Sequence, residues 1–84
     1  MERGERVMSY VILNLLEKRE NIYIYEFLPE NKKDGRGVIS MNIKTGEPSI
    51  IESGSSWHRG QAFSALRKFY ENGKFEETGS RAWG

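Results

Sequence analysis

Cysteine is absent from these 84 residues, and histidine occurs once. Without thiols the chain has no disulfide, no thiolate nucleophile and no Cys-containing zinc site. A single imidazole, His58, excludes a multi-His metal centre and the two-His helix of a metalloprotease. No long hydrophobic run exists either. The apolar-rich stretch that ends at Glu17 covers only about ten residues, too short to span a bilayer, and no small-residue cleavage site follows it. The expectation is a soluble, cytoplasmic protein with no membrane partner. Charge of one sign is missing as well: 13 Lys and Arg face 12 Asp and Glu, a net charge of +1. The balance holds along the chain, with seven of each sign in residues 1–42 and six basic against five acidic in residues 43–84. That evenness argues against a strongly electrostatic partner such as bulk duplex DNA.

What is present suits a small globular fold. Apolar residues make up 37% of the chain, more than a disordered sequence carries. At 9.7 kDa the expectation is a single domain over residues 1–84, with an ordered core over about 6–75 and a C-terminal tail over 76–84 anchored by Trp83. Val7, Met8, Val11, Ile12, Leu15 and Leu16 recur on two adjacent helical rows, with Ser9, Asn14 and Glu17 outside the arc. Val11, Leu13 and Leu15 also alternate, as a strand would. The longer double row, and the solvated run Glu17-Lys18-Arg19-Glu20 behind it, predict a helix over about 5–19.

Ile22-Tyr-Ile-Tyr-Glu-Phe-Leu28, rich in β-branched and aromatic types and stopped by Pro29, predicts a strand. Residues 30–37 are turn formers and charges, a hairpin loop. From Val38, residues Ile39, Met41 and Ile43 alternate with Ser40, Asn42 and Lys44, a second strand. Lys44-Thr-Gly-Glu47 is a tight turn with Gly46 at positive φ, and Pro48–Glu52 completes the next hairpin. Gly54-Ser55-Ser56 then breaks and caps a helix over about 57–72. That helix is expected to bury Ala62, Phe63, Leu66, Phe69 and Tyr70 and to end at Gly73, with Phe75 making the closing apolar contact. The predicted class is α+β in the order α-β-β-β-α: a three-stranded antiparallel meander with two helices on one face. Double-stranded-RNA-binding domains share that order, a likeness of topology alone. The basic cluster they carry at the start of the last helix is here Trp57-His58-Arg59-Gly60, with one guaranteed charge.

Catalytic signals are weak. Ser55 and Ser56 lie close to His58 in sequence, but a nucleophile and base need facing geometry and an orienting acid. N-cap serines with an exposed first-turn histidine explain the same residues. Carboxylates sit mostly in solvated runs, apart from Glu26 among apolar neighbours. No convergent titratable cluster stands out, so the expectation is no catalytic residue, no metal and no cofactor. Ser55, Ser56 and Arg59 form a candidate anion site at the helix start. Lys32, Lys33 and Arg36, beside Tyr23, Tyr25 and Phe27, form a candidate nucleic-acid surface, disfavoured by the neutral overall charge.

The first predicted strand is the informative oddity, because both of its faces are apolar. Only one side can meet the helices. Glu26 shares the aliphatic side, so Tyr23, Tyr25 and Phe27 are expected to point to the helices and Ile22, Ile24 and Leu28 outward. Something is then expected to cover that outer side: the tail around Trp83 or another protein chain. The sequence thus points to a small interaction module without catalytic apparatus, self-associating through Ile22, Ile24, Leu28 and Trp83. The alternative is a nucleic-acid-binding domain using the basic loop and the sheet aromatics.

Overall fold

The computed structural model describes residues 9–83, which form one α+β unit. Five strands and one helix follow in the order β1 (Ser9–Arg19), β2 (Ile22–Pro29), β3 (Gly37–Asn42), β4 (Pro48–Glu52), α1 (Ser56–Asn72), β5 (Thr78–Trp83). All pairings are antiparallel, and the sheet order is β4-β3-β2-β1-β5. The first four strands are a meander, and α1 carries the chain from one edge of the sheet to the other.

This corrects the expected order in two places. The stretch expected as a first helix is a strand from Ser9 onward; Val7 and Met8 of its stripe lie outside the described residues. Val11 and Leu13 are fully buried while Ile12 and Asn14 lie on the other side, so the period-two pattern prevails over the helical one. The reason is tertiary. β1 completes ladders on both sides, with β2 through the two-residue turn Glu20-Asn21 and with β5. The charged run behind it finds partners too: Arg19 pairs with Glu17 along β1 itself, and Lys18 Nζ lies 5.3 Å from the ring centroid of Tyr23 on β2. The second correction concerns the tail, whose residues 78–83 are the edge strand β5. A sheet order of five with a single helix also removes the likeness to double-stranded-RNA-binding domains.

The helix lies where its stripe predicts. Ala62, Ala65 and Leu66 are buried, with Phe63, Phe69 and Tyr70 packed beside them. Ser55 is the N-cap, its hydroxyl accepting from the His58 amide. Gly73, at φ 75°, closes the helix: its amide donates to Tyr70 O and that of Lys74 to Phe69 O. Phe75 follows as expected, its ring edge-on to Phe69 at 6.0 Å. The helix covers one side of the sheet, where Val11, Leu13, Tyr25, Phe27, Ile39 and Met41 form the core with its three buried residues.

Candidate interaction face

The side of the sheet away from α1 is the candidate site. Tyr25 and Phe27 are fully buried beneath α1, so alternation along β2 turns Ile22, Ile24, Glu26 and Leu28 to the opposite side. Register extends that side across the sheet. Leu28 is opposite Ile12; Glu26 is flanked by Asn14 and Val38; Ile24 is beside Ser40. The four aliphatics Ile12, Ile22, Ile24 and Leu28 are half-buried, although no helix covers them.

Between these aliphatics runs a connected polar ladder. Asn14 Nδ2 donates to Glu26 Oε2 (3.0 Å), Arg36 Nε donates to Glu26 Oε1 (2.7 Å), and Arg36 Nη1 reaches Glu52 Oε1 (3.4 Å). Three strands and the β2–β3 loop contribute one residue each. The Arg36 hydrogen bond holds the Glu26 carboxyl below the ordinary carboxylate value, assisted by the Asn14 amide and against the opposing effect of partial burial. Glu26, isolated in the sequence among apolar neighbours, is therefore a paired charge in the middle of this face.

Other candidates are placed differently. Arg36 is drawn into the ladder by Glu26, while Lys32 and Lys33 are exposed. With Tyr25 and Phe27 in the core and Tyr23 half-buried edge-on to Phe75, the rings that were to stack on bases are packed against protein. At the helix start, Ser55 hydrogen-bonds through its amide to Gly35 O (2.9 Å) and through its hydroxyl to the His58 ring (2.8 Å). Arg59 Nη1 donates to Ser53 O (2.8 Å), and Ser56 is exposed. These groups serve the local turn rather than converging on one point. The residues 78–83 pair in the plane of the sheet, so their backbone does not lie over the open face; the Trp83 side chain falls outside what the structure describes.

Sequence reasoning missed one cluster. His58 is not an exposed residue: its side chain is 17% accessible, with Nδ1 on the Ser55 hydroxyl and Nε2 3.8 Å from Glu30 Oε2. Glu30 and Asn31, at φ 51° and 59°, form the turn closed by Lys32 N to Pro29 O (2.9 Å), and this conformation brings the carboxylate to the imidazole. The three side chains border a cleft of about 280 Å³. Ser55 is the helix cap, and the imidazole meets Glu30 at ion-pair rather than hydrogen-bond distance, so the arrangement joins the β2–β3 turn to α1. Among the described residues no group of three or more His, Cys, Asp or Glu is placed to hold a metal, and no helix is long and apolar enough to cross a membrane.

Comparison with family models, with curated proteins and with solved structures finds no match to this chain.

Proposed function

We propose that this domain is a non-catalytic interaction module that self-associates through the open face of its sheet. The observation that carries the proposal is the composition of that face: four half-buried aliphatics around a polar ladder whose members already hydrogen-bond to one another. Covering Ile12, Ile22, Ile24 and Leu28 fully gains a fraction of the roughly 1.5–3 kcal/mol that complete burial of each such side chain contributes. A lone carboxylate in their midst would oppose this through its desolvation cost; Glu26, bound by Asn14 and Arg36, opposes it far less. A net charge of +1 puts no like-charge barrier between two copies, and a two-fold arrangement makes one face its own complement.

Sedimentation equilibrium tests this directly. The parent is expected to dimerise with rising concentration, and Ile24→Lys to remain a folded monomer. A parent that sediments as a monomer at the highest attainable concentration overturns the proposal.

A further inference from the structure

β1 is longer than the strand that flanks it. β5 pairs with β1 from Ser9 to Asn14, and the last contact is Leu15 N donating to Glu77 O at 2.7 Å. Beyond that point, Glu17, Lys18 and Arg19 are paired with β2 on one side, and among the described residues no strand lies on the other. The sheet therefore has a step in its edge. Residues 16–19, about 13 Å of extended backbone, present hydrogen-bonding groups outward where the track of β5 stops.

The step is a shaped opening. A cleft of about 490 Å³ lies there, lined by Leu15, Leu16, Glu17, Lys18, Glu77 and Thr78 among others. Leu16 is the extra residue of a β-bulge, since Leu15 pairs with Tyr25 and Glu17 with Ile24. Leu16 is 49% exposed, an apolar residue in the lining of the opening. Glu17, Lys18 and Glu77 line it. The two chain segments that border it, residues 15–20 and 76–78, carry Glu17, Glu20, Glu76 and Glu77 against Lys18 and Arg19, four charges to two. Arg19 pairs with Glu17, and Lys18 lies over the uncharged Tyr23 ring, so the two segments keep a net charge of −2.

We propose that this step receives an extended, basic segment of a partner protein, added to β1 as a strand on the track that β5 leaves. Backbone hydrogen bonds supply the docking, an apolar side chain of the segment meets Leu16, and its Lys or Arg residues meet the acidic side chains of the two bordering segments, Glu77 first. Most of the open face lies away from the step along β1: Leu28 is opposite Ile12, whereas Ile24 is opposite Glu17 at the step itself.

The probe is an acetylated and amidated Lys-Val-Lys-Val-Lys-Val peptide, titrated into the full chain while backbone amide resonances are followed. Saturable shifts are expected at residues 15–19 and 77–78. The Glu-Val-Glu-Val-Glu-Val counterpart is expected to bind at least about tenfold more weakly, and alternate N-methylation of the basic peptide to abolish saturation. Glu77→Lys, at an exposed position, should weaken binding without changing the melting temperature, and Leu28→Lys, on the open face opposite Ile12, should leave binding intact. Shifts centred on β4 or on the open face, equal affinity for the acidic peptide, full binding by the N-methylated one, unchanged affinity in Glu77→Lys, or no saturation at millimolar peptide each overturn the proposal.

Discussion

Arg36 reaches across the open face from the β2–β3 loop and donates through Nε to Glu26 Oε1 at 2.7 Å, joining two charges ten residues apart in sequence. Their side chains are 33% and 19% accessible, so the contact is partly withdrawn from solvent. The pair explains how β2 carries a carboxylate among aliphatics.

Arg36→Ala should destabilise the fold by about 1–3 kcal/mol at neutral pH, because Glu26 keeps only Asn14 as its partner. The Glu26 carboxyl titrates below its ordinary value when folded, so its contribution is present above that ordinary value and is lost as pH falls through the folded one. Urea melts at pH 7 and in strong acid check the assignment. The gap between parent and variant should close in acid; an equal gap at both pH values places the effect elsewhere.

Tyr25 makes the opposite prediction. Burial, with help from Tyr23, Glu76 and Glu77, pushes its phenol from about 10 up to about 12, and the hydroxyl donates to Glu76 O. A raised folded value favours the protonated form, so this stability is complete below about pH 10 and is lost as pH rises toward 12. Tyr25→Phe, which has nothing to ionise there, should show a smaller alkaline loss than the parent. Parallel curves of stability against pH from 9 upward for the two proteins would contradict this.

Leu66 is fully buried beside Ala62 and Ala65, and Leu66→Ala should cost about 2–5 kcal/mol. His58→Ala should cost roughly 1 kcal/mol, more than an exposed residue would, because the ring hydrogen-bonds the helix cap. Chemical denaturation of the two variants side by side checks both values. A His58→Ala melt identical to the parent's would show that the imidazole does not tie the turn to α1.

Much of this fold is legible in the sequence where one periodicity stands alone. β2, β3 and α1 fall close to their expected bounds, and the division of β2 into Tyr25 and Phe27 beneath the helix and Ile22, Ile24 and Leu28 opposite follows from Glu26. β1 is illegible because residues 11–16 satisfy two periods at once. What decides between them is β5, and Thr78-Gly-Ser-Arg carries no alternation to announce an edge strand. The His58 cluster was hidden for a related reason. Glu30 comes from 28 positions away in a charged loop, and it is the left-handed turn at Glu30 and Asn31 that delivers it. The ladder through Glu26 likewise needs the register of three strands, which a single sequence does not contain.

The same substitution at two glycines should change stability with opposite signs. Gly37 opens β3 opposite Phe27, and a Cβ there would lie 2.4 Å from two carbons of the Phe27 ring and 2.8 Å from the Glu52 carbonyl oxygen. Neither neighbour yields easily, since the ring is fully buried and the oxygen belongs to the backbone of β4. Gly37→Ala should therefore cost at least about 1–3 kcal/mol, the range for overpacking a filled core. Gly60 lies within α1 on its exposed side, and a Cβ there meets nothing within 4 Å. Alanine restricts the unfolded chain and suits the helix, so Gly60→Ala should stabilise by about 0.5–1 kcal/mol. Urea midpoints of the two variants measured against the parent decide the matter. A stabilised Gly37→Ala would mean that β3 and β2 do not approach as described, and a destabilised Gly60→Ala would mean that the exposed side of α1 is in contact with something.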